Sequence, residues 1–115
     1  MPPPPPAVDD GPVNLEHLRR MTLGDADLER EVLDMFARQA SQLTRSLADL
    51  PPEAGALAHT LKGSARAIGA FRVAAAADAL ETSIRDGRAP AQALADLRAA
   101  VAEAHAAIAA ILRRP

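Results

Sequence analysis

Hydrophobic residues recur along this chain at the spacing of α-helices, and no segment shows the strict alternation that is typical of a strand. The first such segment is short and runs from Val13 to Met21, with Asn14 as its expected N-cap. It places Leu15, Leu18 and Met21 on one side of a helix. We therefore predict one short helix at this point of the chain.

A much longer helix is predicted behind Asp25, which is placed to cap it. Its apolar positions follow the 3.6-residue period as far as Pro51-Pro52, where proline stops a helix. At 1.5 Å per residue, this helix would be about 36 Å long. Its apolar positions are Leu28, Val32, Met35, Phe36, Leu43, Leu47 and Leu50.

Three further helices follow, each with a start or stop signal. The third is predicted over residues 53–68, with Gly69 as its C-cap. The fourth is predicted from residue 71 or 72 to about residue 86, where an Asp-Gly pair ends it. The fifth opens with Pro90 in its first turn and carries apolar residues up to Leu112.

This order of elements predicts an all-α fold. Four long amphipathic helices with short connections favour an up-down-up-down antiparallel four-helix bundle, with the short first helix across one end. We assign the bundle to residues 13–113 as a single domain. Residues 1–12 hold six of the ten prolines and little that could pack, so we interpret them as a disordered Pro-rich leader outside the domain.

The composition agrees with an all-helical fold and argues against several classes of function. Alanine is the commonest residue, and with two Phe and no Trp or Tyr the core must consist of aliphatic side chains and alanine. A net charge of -2 gives no overall attraction for nucleic acid or for an anionic membrane, and we expect neither as a partner. The absence of cysteine excludes disulfides and thiolate sites. No apolar run approaches the roughly 20 residues that cross a bilayer, and we expect a cytoplasmic protein.

One histidine is distinguished by its position on the third helix. His59 lies roughly 150° around the helix from the centre of the apolar stripe, so we expect it to point to solvent. Lys62, Gly63 and Arg66 follow on the same outer face. Glycine in an exposed helix costs about 1 kcal/mol relative to alanine, in a chain that uses alanine almost everywhere else. Because residue i+4 adjoins the imidazole, we interpret Gly63 as clearing space beside the ring.

These residue types favour phosphoryl chemistry. An exposed imidazole is largely neutral at neutral pH and offers the lone pair of one ring nitrogen. Lys62 adds a cation within reach of the same space. The chain has no cysteine nucleophile, and we find no Ser-His-Asp order and no second carboxylate at ligand spacing. A nucleophilic histidine beside a lysine and a steric gap therefore predicts acceptance of a phosphoryl group.

The segment from Ala58 to Arg66, with Gly69-Ala70 behind it and Leu80-Glu81 in the next helix, resembles the signature of the histidine-containing phosphotransfer (HPt) domain. The resemblance covers about residues 14–112. It implies that His59 takes a phosphoryl group from the aspartate of one receiver domain and passes it to another. By the same matching, Lys62 faces the phosphate and Gly63 permits close approach of the partner. For Arg66 a phosphate or partner contact and an ordinary solvated charge carry equal weight.

The resemblance also implies a set of partners. We expect response-regulator receiver domains and a hybrid histidine kinase, with Mg²⁺ held by the receiver and no cofactor or metal bound by this chain. The sequence lacks a nucleotide-binding loop, so we expect a phosphoryl carrier that is not an enzyme, and a monomer. Within the chain, Leu15, Leu18 and Met21 of the short helix are the predicted docking patch, and exposed parts of the long helix are further candidates. Gln39 and Gln42 are the residues predicted to orient the imidazole by hydrogen bonding.

The same sequence is also compatible with a second function besides that of a phosphoryl carrier. The chain could be a helical adaptor that binds a histidine kinase or a response regulator without being phosphorylated. A third reading, the dimerisation hairpin of a histidine kinase, is disfavoured because no acidic residue directly follows His59.

Overall fold

Five α-helices joined by short turns make up residues 11–114, the part of the chain that this computed structural model describes. No strand occurs within that range, so the predicted all-α class is confirmed. The predicted leader, residues 1–12, lies outside the described residues except for its last two. The helices are α1 (Leu15–Met21), α2 (Ala26–Leu47), α3 (Ala54–Ile68), α4 (Phe71–Asp86) and α5 (Pro90–Leu112).

The first two helices begin at the caps that the sequence predicts. The side chain of Asn14 accepts a hydrogen bond from the backbone N–H of His17 at 2.9 Å. The side chain of Asp25 accepts one from the N–H of Leu28 at 3.0 Å. Each cap satisfies a backbone donor that a helix start leaves without an intrahelical partner, so the local sequence settles where α1 and α2 begin.

The end of α2 differs from the prediction. The helix stops at Leu47, and Leu50 has a φ of 46°, outside the right-handed helical region. Proline disfavours the helical conformation in the residue before it, so the chain leaves the helix ahead of Pro51. The 22 residues of α2 span about 33 Å at the usual helical rise.

The face that α2 buries also differs in part. Leu28 and Met35 are 41% and 58% exposed, although the apolar period includes both. Leu33 and Ala40 are fully buried instead, beside Phe36 and Leu47. The core-facing stripe of α2 is thus rotated from the predicted one, and it leaves two large apolar side chains on the surface.

The turn between α3 and α4 requires its glycine. Gly69 has a φ of 87°, the left-handed conformation of a helix C-cap, as the sequence predicts. A β-carbon at this position would lie 2.8 Å from the carbonyl oxygen of Asn14. The N–H of Asn14 donates to the carbonyl of Gly69 at 2.9 Å, so the same turn attaches the start of α1 to the end of α3.

The four long helices pack in a closed cycle. Helix α2 contacts α3 and α5, helix α4 contacts the same two, and α1 packs against α3. Alanines such as Ala58, Ala65 and Ala77 are fully buried, and their small side chains let helices approach closely. None of the helices in residues 11–114 is long and apolar enough to span a membrane. The largest fully buried side chains are Leu18, Leu33, Leu47, Leu61, Val73, Leu80, Leu97 and Ile108.

Candidate functional site

His59 lies on the outer face of α3, where the helical period predicts it. Its side chain is 67% exposed, whereas Ala58 and Leu61 of the same helix are fully buried. The imidazole is therefore open to a partner, while the core contacts of α3 hold the backbone beneath it.

A carboxylate from the neighbouring helix binds the inner ring nitrogen of His59. Nδ1 of the imidazole lies 3.0 Å from Oε2 of Glu81 on α4. A hydrogen bond from Lys62 lowers the pKa of Glu81, so the carboxylate is ionised and can only accept. Nδ1 must therefore carry the proton, and the neutral ring keeps its lone pair on Nε2.

Lys62 is held on the same carboxylate. Its Nζ donates to Oε1 of Glu81 at 2.7 Å and to Oδ1 of Asp78 at 3.2 Å. The Lys62 side chain is only 14% exposed, and the bond to Glu81, followed by the bond to Asp78, raises the pKa of its amine. Lys62 is thus a charged group fixed between two carboxylates, whereas the sequence predicts a cation facing the phosphate site.

Gly63 has no structural reason to be glycine. It lies in the middle of α3 with an ordinary helical φ and is exposed. A β-carbon built there would meet no atom within 4 Å apart from its own helix backbone. The fold would accept a side chain at this position. Packing within the fold therefore does not explain why the space beside the imidazole is left open. Arg66 is also exposed on this face, and no ion pair involves it among residues 11–114.

The structure does not bring the two predicted glutamines to the imidazole. Gln39 lines a hollow between α2 and α3, and Gln42 lines a separate hollow beside His105. The residue at hydrogen-bond distance of the imidazole is Glu81. Sequence reasoning missed Glu81 and Asp78 as site residues because their contacts depend on how α4 is rotated against α3. The one signal in the sequence was the Leu80-Glu81 pair of the HPt resemblance.

The predicted docking patch on α1 is largely buried. Leu18 is fully buried and Leu15 packs partly against the core, which leaves Met21 as the exposed member at 56%. Leu18 cannot contact a partner directly, because the apolar stripe of so short a helix is what attaches α1 to the rest of the fold. His17 helps this attachment, since its Nε2 lies 3.1 Å from the carbonyl oxygen of Ala67.

An apolar groove lies on the surface between α2 and α3. It encloses about 320 Å³ and is open to solvent. Ala67, on its α3 side, is two helical turns beyond His59, and Met35, on its α2 side, is one of the exposed apolar residues. We call this the α2–α3 groove; its lining is Val32, Met35, Phe36, Gln39, Ser64, Ala67 and Ile68.

Metal ligands are not gathered in the described part of the chain. Within residues 11–114 no three histidine, aspartate or glutamate side chains come together as a set that could hold a metal ion. The two carboxylates of this cluster, Glu81 and Asp78, are engaged by Lys62.

Comparison with known proteins agrees with this site. The family model described as "Hpt domain" matches residues 26–111, which include α2, α3 and α4 with His59, Lys62 and Glu81. The chain belongs to the Hpt domain family. Proteins of this family are phosphocarriers and not kinases, which supports a phosphotransfer role in phosphorelays, where Hpt domains interact with receiver domains and histidine kinases.

A solved structure shares the fold. The X-ray structure of a rice protein assigned as a histidine-containing phosphotransfer protein superposes with a TM-score of 0.78 at 21% sequence identity. The match covers 90% of this chain and 81% of the rice chain. At this identity the likeness concerns the fold. Among curated proteins, none matches the chain.

Proposed function

We propose that this protein carries a phosphoryl group on Nε2 of His59, between receiver-domain aspartates or to and from a hybrid histidine kinase. The observation that carries the proposal is the geometry of the ring. Glu81 engages Nδ1, and the exposed edge of the imidazole lies beside Gly63, where no side chain obstructs a partner.

The transfer itself is a balanced in-line displacement. The Nε2 lone pair attacks the phosphorus of an aspartyl phosphate, a P–N bond forms as the acyl-phosphate P–O bond breaks, and the aspartate leaves as a carboxylate. The positive charge that develops on the ring is stabilised by Glu81, which keeps its bond to the Nδ1 proton. Mg²⁺ and the groups that activate the aspartyl phosphate belong to the receiver. Transfer to the next receiver reverses these steps.

The α2–α3 groove is the proposed contact surface for the receiver. It begins within two helical turns of His59 and exposes apolar side chains at a site that no other described element covers. Docking there would place the receiver over Gly63. The proposed surface replaces the predicted patch on α1, of which only Met21 is well exposed.

For the scaffold, we propose the up-down-up-down course of an antiparallel bundle. Each of the four long helices contacts the next in the chain, and α5 contacts α2. The domain over residues 13–113, the monomeric state and the cytoplasmic location stay predictions.

The experiment that tests the carrier function is phosphoryl transfer from a receiver domain labelled with radioactive phosphate. We expect acid-labile label on the wild type and none on His59→Ala. His105→Gln is the matched control, because His105 is half-buried and its Nε2 bonds the carbonyl oxygen of Ala37, so it should keep the label. A wild type that binds receivers or kinases but never accepts label would instead support the adaptor function.

A further inference from the structure

The ammonium group of Lys62 lies between two carboxylates that differ in exposure and in their distance from it. Glu81 is 26% exposed, bonds Lys62 at 2.7 Å and uses its other oxygen on His59. Asp78 lies one turn before Glu81 on α4, is 53% exposed and bonds Lys62 at the longer distance of 3.2 Å. Glu81 is therefore tied into the site by two bonds, whereas Asp78 makes the more exposed and weaker contact.

Phosphorylation of His59 would add to an excess of negative charge that this cluster already carries. Lys62 supplies one positive charge against two carboxylates in the resting site. A phosphoryl group on Nε2 would add up to about two negative charges within the same few ångströms. Lys62 has three N–H donors, and Glu81 and Asp78 take one each, so Asp78 does not compete for a donor. It competes for the position and the charge of the ammonium group, because its bond draws Nζ toward α4 and its own negative charge offsets the positive charge that would stabilise the phosphoryl group.

We propose that Asp78 is a positioning residue that competes with the phosphoryl group for Lys62 and thereby shortens the lifetime of the phosphohistidine. The inference rests on the carrier function proposed above and concerns the regulation of the same site. In this arrangement Glu81 orients the ring, Lys62 stabilises the phosphoryl group, and Asp78 limits that stabilisation. A carrier whose phosphohistidine is too stable would retain its phosphoryl group, so Asp78 favours transfer to the next receiver.

The test measures the half-life of the isolated phosphorylated protein, after the labelled receiver has been removed. Asp78→Asn keeps the shape of the side chain and removes its charge. We expect its phosphohistidine to survive roughly threefold to tenfold longer than that of the wild type, as for loss of one negative charge near a dianion in an exposed site. Asp78→Glu restores the charge and should return the half-life toward the wild-type value.

Two controls separate this role from a structural one. Asp86→Asn removes the same charge from the same helix, two turns away, where the carboxylate contacts Arg85, and should leave the half-life unchanged. The Asp78→Asn effect should largely disappear in a Lys62→Ala background, because Asp78 acts through Lys62. Circular dichroism of each variant reports whether the fold is intact.

The outcomes are distinct. A wild type that never takes up label refutes the carrier function itself. If the wild type is labelled and Asp78→Asn has the same half-life, the role of Asp78 is refuted while the carrier function stands. An equal lengthening with and without Lys62 would also refute it, because Asp78 would then act without competing for that cation.

Discussion

Helix α3 contains Gly63 and ends at Gly69, and the fold requires only the second of these two glycines. Gly69 occupies a left-handed turn against the backbone of Asn14, so the fold requires it. Gly63 has a helical backbone and open space around it, so the fold does not require it. A glycine that lowers helix stability without serving the fold, next to an exposed imidazole, supports the proposal that a partner uses the space.

The first prediction compares alanine at these two positions. Gly63→Ala should raise the free energy of unfolding by about 1 kcal/mol, the difference in helix propensity. Gly69→Ala should lower it by roughly 2 kcal/mol or more, since a left-handed alanine costs about 1–2 kcal/mol and the β-carbon would also strike the carbonyl oxygen of Asn14. Denaturant unfolding measures both values. A lower free energy of unfolding for Gly63→Ala than for the wild type would contradict the finding that the space around residue 63 is open.

The second prediction concerns transfer at the same residue. Gly63→Leu should fold as the wild type does, because its side chain would extend into solvent. Transfer from a labelled receiver should fall at least tenfold on a rough scale, because the leucine would occupy the space that the receiver needs beside the ring. The half-life of any phosphohistidine that does form should not change. Normal transfer rates in a folded Gly63→Leu protein would refute the steric role.

At the scale of elements, α3 and α4 are joined by the polar cluster as well as by the core. Glu81 bridges Lys62 and His59 of α3, so one carboxylate both links the two helices and orients the imidazole. The pKa of Glu81 is lowered, chiefly by the bond from Lys62. The pKa of Lys62 is raised, chiefly by the bond to Glu81. Both pKa shifts mean that the folded protein favours the charged forms of Lys62 and Glu81.

The third prediction follows from these directions. The Glu81 contribution to stability is present above its usual pKa of 4.5 and is lost as the pH falls through the lower folded value. The Lys62 contribution is present below 10.5 and is lost as the pH rises through the higher folded value. Thermal unfolding of Glu81→Gln should therefore show a smaller loss of Tm on acidification than the wild type. Glu16→Gln, which breaks an exposed pair with Arg20, is the control and should keep the wild-type acid response. Identical acid profiles for wild type and Glu81→Gln would contradict the bridge.

At the scale of the whole molecule, the site and the α2–α3 groove share α3. Leu61 and Ala65 pack α3 into the core, so the exposed ring and one side of the groove lie on the same well-packed helix. The rotation of α2 leaves Met35 at the rim of that groove. A receiver that docks on the groove would thus meet a preformed surface beside a preoriented nucleophile.

The fourth prediction tests this surface. Met35→Glu should leave unfolding nearly unchanged, since the side chain is 58% exposed. It should slow transfer from the receiver by about tenfold through weaker docking, seen as a higher KM with an unchanged phosphohistidine half-life. Ala109→Glu places the same charge on an exposed position of α5, which contacts α2 and α4, and should transfer normally. Equal slowing in both variants would place the contact surface elsewhere.

The sequence predicted most where the determining interactions are local. Caps at Asn14 and Asp25 and the C-cap at Gly69 depend on neighbours within a few residues, and all three are found. The apolar period predicts that α2 continues to Leu50, whereas the helix ends at Leu47, because Pro51 disfavours a helical conformation in the residue before it. The same period predicts that Met35 is buried, whereas it is exposed, because the rotation of a helix about its axis is decided only when its partner helices pack against it.

The sequence by itself determined that His59 faces outward beside Lys62 and Gly63, because the helical period is a property of one continuous segment. Only the tertiary structure decided what the ring and the lysine contact. Glu81 is 22 positions from His59 along the chain, and the pair forms only at one rotation and one shift of α4 against α3. Ala58 of α3 and Ala77 of α4 are both fully buried, which agrees with close packing of these helices. The exposed position of His59 could therefore be predicted from the local pattern, whereas the orientation of its ring, the partners of Lys62 and the exposed groove depend on how whole helices pack.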